Sequence, residues 1–106
     1  MPGWVLESQD EPPVTLRLAP GSVKTVGRTA RADFMLDAPL VSRLHCRLTA
    51  EASDQLVVED LDSTNGTIVN GARVERSVLR EGDTLTIGRV EFSVKSAPTS
   101  TASGGR

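Results

Sequence analysis

The sequence predicts an all-β fold, an eleven-stranded β-sandwich of two packed, mainly antiparallel sheets. Apolar residues alternate with polar ones over short stretches, and a period of two belongs to half-buried strands. Turn-forming groups interrupt these stretches at intervals of roughly ten residues, the spacing of a sandwich. No segment longer than about ten residues carries a capped apolar face at helical spacing, so helices are absent or confined to one turn of a loop.

Taken in order, strands are expected at 3–8, 14–18 (Val14, Leu16, Leu18), 23–27 (Val23, Val26), 33–36 (Phe34, Leu36) and 45–50, where Cys46 and Leu48 alternate. Cys46 is then either half-buried or on the outer face. The series continues at 55–60 (Leu56, Val58), 66–69, 72–74, 78–79, 83–88 (Leu85, Ile87) and 90–95 (Phe92, Val94). Between them lie Ala19-Pro20-Gly21, Asp37-Ala38-Pro39, Ser53-Asp54, Asn65-Gly66, Asn70-Gly71 and Glu81-Gly82-Asp83. Asn70-Gly71 suits a type I′ hairpin turn, whose two central residues need positive φ. Residues 96–106 are small and polar, cannot bury enough surface to offset their ordering entropy, and read as a flexible tail or linker after a domain spanning 1–95.

Composition excludes several functions. The 106 residues hold one domain's worth of core. With 12 Lys+Arg against 14 Asp+Glu, net charge is −2, so no bulk basic field exists to hold a nucleic acid, and 3% aromatics leave few bases a platform to stack on. One cysteine and one histidine leave no disulfide framework and no zinc set, which fits an intracellular, cytoplasmic setting, or nuclear if the source is eukaryotic. No apolar run approaches the roughly 18 residues of a membrane span. No metal and no cofactor are expected. The net charge also averages over a contrast: residues 24–47 carry Lys24, Arg28, Arg31, Arg43 and Arg47 against Asp33 and Asp37, whereas residues 48–62 hold five acids and no base.

Three connections carry more hydrogen-bonding groups than chain reversal requires. In Val26-Gly27-Arg28-Thr29-Ala30-Arg31 a glycine allows a sharp exit from a strand and Arg28 presents a planar fork of donors, suited to phosphate or carboxylate if it is not simply solvated. In Pro39-Leu40-Val41-Ser42-Arg43-Leu44-His45 a hydroxyl and a guanidinium adjoin. His45, at the mouth of a strand, fits a loop-orienting hydrogen bond better than acid–base or metal chemistry. A Ser42–His45–Asp37 hydrolase triad lacks the strained Gly-x-Ser-x-Gly elbow, and no Gly-x-x-x-x-Gly-Lys phosphate loop is present, so an enzyme is not expected. The third connection, Asp60-Leu61-Asp62-Ser63-Thr64-Asn65-Gly66-Thr67, in which the five residues from Asp62 to Gly66 all favour turns, is either a tight turn or a loop built to contact a ligand.

The ordered set Gly27-Arg28, Ser42-Arg43-Leu44-His45, Ser63-Thr64-Asn65-Gly66-Thr67 and Asn70-Gly71 resembles the forkhead-associated (FHA) domain over roughly residues 4–95. The resemblance implies an FHA/SMAD-like sandwich with binding loops at one end that take phosphothreonine peptides. It implies that Arg28 and Ser42 bind the phosphate, that Arg43 and Thr64 add contacts there, and that Asn65 bonds the peptide backbone. Gly27, His45, Gly66, Asn70 and Gly71 would shape loops. Some members place an arginine two residues before the serine to select an acidic side chain after the phosphothreonine; Leu40 stands there instead, which points to an aliphatic preference. The expected partner is a phosphothreonine protein supplied by a Ser/Thr kinase, bound by a monomer at micromolar affinity, with neither nucleic acid nor membrane involved. The alternative is a phosphate-independent interaction domain of the same fold. Thr99 and Thr101 raise a further possibility, a phosphorylated tail folding back into the site.

Overall fold

The computed structural model describes residues 3–51 and 55–97. They form eleven strands: β1 (Gly3–Ser8), β2 (Thr15–Leu18), β3 (Val23–Gly27), β4 (Phe34–Met35), β5 (Cys46–Ala50), β6 (Leu56–Asp60), β7 (Thr67–Val69), β8 (Ala72–Val74), β9 (Arg76–Leu79), β10 (Thr84–Ile87) and β11 (Val90–Ala97). Six make one sheet in the order β2-β1-β11-β10-β7-β8, and five the other in the order β4-β3-β5-β6-β9. Neighbours run antiparallel except the short parallel pair β3 and β4. No helix among the described residues is long and apolar enough to cross a membrane.

The period-two pattern works as physics requires, because alternate residues point into one shared interior. Leu6, Leu16, Leu18, Leu85, Ile87, Phe92 and Val94 come inward from the six-stranded sheet; Val26, Cys46, Leu48, Leu56, Val58 and Leu79 come from the other. Cys46 is therefore a core residue, neither half-buried nor outward-facing. It pairs across strands with Val26 and Asp60 and is fully buried. Burial, and secondarily the Asp60 carboxylate, push its thiol from 9.0 up to about 12. Native protein treated with a thiol reagent at pH 8 should label only as fast as it unfolds, and denaturant should release full, rapid labelling.

Two strands run beyond the expected limits. β9 begins at Arg76 because Arg76 and Ser77 pair with Glu59 and Val58, a register that polar side chains conceal from any apolar pattern. β11 continues through Ala97 because Ser96 and Ala97 pair with Trp4 and Gly3, which moves the start of the expected tail past residue 97. Residues 98–106, with Thr99 and Thr101, and the Ser53-Asp54 turn lie outside the described residues. Asn70 (φ 50°) and Gly71 (φ 85°) adopt the positive φ pair of a type I′ turn.

Candidate functional site

The connections β3–β4, β4–β5 and β6–β7 meet at one end of the sandwich and enclose an open cleft of about 870 Å³. Arg28, Ser42, Arg43, Thr64 and Asn65 all line it, with Leu40, Leu44, Asp37 and Asp62 at its walls. Residues up to 37 positions apart in sequence thus converge on a single volume. Asn70 and Gly71 sit elsewhere, at the far end of β7, where Asn70 ties the β7–β8 turn to Asp83 and Thr84.

Arg28, Ser42 and Asn65 are each anchored through part of their polar surface and keep the remainder for the cleft. The Arg28 backbone N–H donates to the Ser42 carbonyl (2.9 Å) and its Nε to the Val41 carbonyl (2.9 Å). The two terminal amino groups of the guanidinium are left for a ligand. Behind Arg28, the Asp33 carboxylate accepts the Thr25 backbone N–H (2.9 Å) and hydroxyl (3.1 Å), closing the loop at its base. Those bonds hold the Asp33 carboxyl below the usual carboxylate range. Neither Arg28 nor Arg43 belongs to an ion pair among the described residues, which are Arg47–Glu59, Arg76–Glu59 and Lys95–Glu7.

Ser42 Oγ accepts the Thr64 N–H (2.9 Å), so its own proton is free to be donated into the cleft. Asn65 Nδ2 donates to the Leu40 carbonyl (3.1 Å), which orients the amide and leaves Oδ1 for an incoming N–H. Leu40 itself sits at φ 70°, a left-handed conformation unusual for a branched side chain, and is 45% exposed at the rim.

His45 is fully buried behind these groups. Its Nδ1 accepts the Ser42 N–H (3.1 Å), and its Nε2 lies 2.8 Å from the Gly66 carbonyl, which can only accept. The two partners together assign the neutral Nε2–H tautomer. With both nitrogens engaged, the ring is a brace between two loops and has no lone pair for a metal. No cluster of three or more metal-ligating side chains occurs among the described residues. Gly27 is required by crowding: a Cβ there would collide with the Arg43 carbonyl, so only glycine lets β3 pass the β4–β5 loop.

Gly88 escaped the sequence reading, and Asp60 and Ser63 stood in the third loop with no role assigned to them. Gly88 packs against the Pro39 carbonyl, where a Cβ would come within 2.8 Å, so the β10–β11 hairpin buttresses the rim that carries Leu40. Asp60 and Ser63 form the floor of the β6–β7 loop: Asp60 accepts the Ser63 hydroxyl, the Ser63 N–H (3.2 Å) and the Thr67 hydroxyl (2.8 Å). Partial burial raises the Asp60 carboxyl, but the bonds from Ser63 and Thr67 outweigh it and hold the group below its ordinary range. A signal for Asp60 was present, since period two places it on the same inward face as Leu56 and Val58, and an acid at a core-facing position needs partners.

Comparison with known proteins gives the same outline. A family model described as the FHA domain matches residues 24–88. The ABC transporter ATP-binding/permease protein Rv1747 of Mycobacterium tuberculosis is 38% identical over 79 residues, covering 74% of this chain and 9% of that protein. The glycogen accumulation regulator GarA of Mycolicibacterium smegmatis is 38% identical over 80 residues, covering 76% of this chain and 50% of the relative. The chain thus spans half the length of one relative and a small part of the other. A solved structure from a structural and functional analysis of phosphothreonine-dependent FHA domain interactions superposes with a TM-score of 0.82 at 33% identity, covering 91% of this chain and 98% of that one.

Proposed function

The chain belongs to the FHA-domain family, and from that premise we propose that it is a non-enzymatic module that binds phosphothreonine peptides. The observation that carries the reading is the convergence of unused donors: two amino groups of Arg28 and the Ser42 proton face one cleft, with the Arg43 side chain on the same wall. A phosphothreonine brings a charge of about −1.5 to −2 and three strong acceptor oxygens, which that donor set can saturate. Thr64 adds a contact near the phosphate, and Asn65 Oδ1 takes a backbone N–H of an extended peptide. The ligand is a phosphoprotein segment made by a Ser/Thr kinase, in an intracellular setting that fits the lone, buried cysteine.

Affinity should be micromolar, about −8 kcal/mol, because an extended peptide loses ordering entropy and covers little area. Leu40, exposed at the rim beside Ser42, favours an aliphatic side chain downstream of the phosphothreonine.

Calorimetry with matched threonine and phosphothreonine peptides tests the proposal. Binding of the phosphorylated member alone is expected, strengthened severalfold when the residue three positions on is changed from aspartate to leucine. Equal affinity for the two members of the pair would overturn it in favour of a phosphate-independent interaction domain.

A further inference from the structure

We infer that Asp60, which does not line the cleft, is a positioning residue for ligand binding, acting on Ser42 from the base of the β6–β7 loop through a chain of hydrogen bonds. The inference rests on the phosphopeptide reading above. The chain can be followed link by link. The Ser42 N–H donates to His45 Nδ1, and His45 Nε2–H donates to the Gly66 carbonyl. The N–H of the same glycine donates to Ser63 Oγ (2.9 Å), and the Ser63 hydroxyl donates to Asp60 Oδ1. Every proton along this path points toward the carboxylate. The polarity is uniform because a carboxylate accepts only, so Ser63 has to spend its one proton on Asp60 and keep its lone pairs for Gly66. The ionised terminus strengthens the bonds nearest to it, and the Gly66 backbone, whose N–H and C=O belong to successive peptide groups, passes the alignment on to His45 by position.

At the other end, Ser42 Oγ accepts Thr64 N–H, and Thr64 lies in the same loop that Asp60 holds at Ser63 and Thr67. The path therefore closes on itself. Asp60 sets both the backbone that carries Ser42 and the N–H that occupies its oxygen, which together determine that the Ser42 proton points outward.

A carboxylate beneath a phosphate site is electrostatically unfavourable for the ligand. Its presence is accounted for by what it aligns: Ser63 and His45 in the chain, and Thr67 beside it, are buried and have no water to take a missing partner's place. Asp60→Asn keeps size and shape but brings an NH₂ where only acceptors fit. It faces either the Ser63 N–H or the two hydroxyls with a donor, and Ser63 can no longer serve Gly66 and Asp60 as before.

The test is a double-mutant cycle on the full chain with Asp60→Asn and Ser42→Ala, read by NMR titration with a phosphothreonine peptide selected on the wild-type protein from a library. Asp60→Asn should weaken binding about tenfold or more. In the Ser42→Ala background it should cost less than about twofold, because its route to the ligand is already cut. Without ligand, Asp60→Asn should shift the Ser42 amide and the His45 ring nitrogens while the amides of β1 and β2 stay in place. Penalties that multiply in the double variant, or a ligand-free Ser42 amide that does not move, would overturn the inference. If the wild-type protein fails to prefer phosphothreonine, the functional reading falls while the ligand-free shifts still decide the role of Asp60. If Asp60→Asn does not fold, Ser63→Ala cuts the same chain one link on and is held to the same outcomes.

Discussion

Replacing Arg28 with alanine is expected to abolish phosphopeptide binding while leaving the fold intact. The guanidinium has two amino groups free in the cleft and one Nε bonded to the Val41 carbonyl. Two bonds to a phosphate at about 1.5–3 kcal/mol each amount to roughly 3–6 kcal/mol, a factor of about 10² to 10⁴ in Kd. Against a micromolar ligand that is loss of measurable binding. Stability should change by less than about 1 kcal/mol, since the side chain is exposed and its removal leaves one carbonyl at a wet rim. Arg28→Lys should recover only part of the affinity, because an ammonium keeps the charge but supplies neither the fork nor the Nε anchor that aims it. Calorimetry on the three proteins decides the matter, and an alanine variant within threefold of wild type would remove Arg28 from the site.

His45→Ala should be among the most destabilising single substitutions in the chain. The ring is fully buried and serves the Ser42 N–H on one side and the Gly66 carbonyl on the other. Truncation orphans both groups and opens a cavity, which together cost about 3–5 kcal/mol. That is a large share of the 5–15 kcal/mol typical of such a domain, and at about 4–8 °C per kcal/mol the melting temperature should fall by more than 10 °C. Urea and thermal denaturation of the variant give the value directly. A loss under 1 kcal/mol would show that the two loops hold each other without the imidazole. Phosphopeptide affinity should fall as well, through Ser42. Those results beside Arg28→Ala would separate the roles, one residue serving the ligand at little cost to the fold and the other the reverse.

Much of this architecture could be read from residue order because strands with one inward face announce themselves. Leu85-Ile87 and Phe92-Val94 alternate visibly and lie where expected, in β10 and β11. The failures have the same physical root. Arg76 and Ser77 are held in β9 by backbone pairing with Val58 and Glu59, and backbone hydrogen bonds are blind to side-chain polarity. Cys46 was ambiguous because a small thiol is compatible with either face; only the covering sheet makes it a core residue. At the site, arginine, serine and asparagine stood out by their chemistry. Gly88 did not, and Asp60 and Ser63 stood in the third loop without a role, because their work is to hold other residues and is visible only once their partners are in place.

The sequence by itself determined the fold class, the eleven strands to within a residue or two at most ends, and which side chains could serve an anion. Periodicity and residue chemistry are local properties, so a linear chain displays them in full. Tertiary structure alone decided that Arg28, Ser42, Thr64 and Asn65 share one cleft, and that their free donors face it while their remaining polar groups are tied down. That arrangement depends on two sheets closing over Leu6, Leu48, Leu56 and Phe92 and drawing three distant loops to the same end. Which hydrogen bonds each donor then has left depends on neighbours that sequence distance does not reveal.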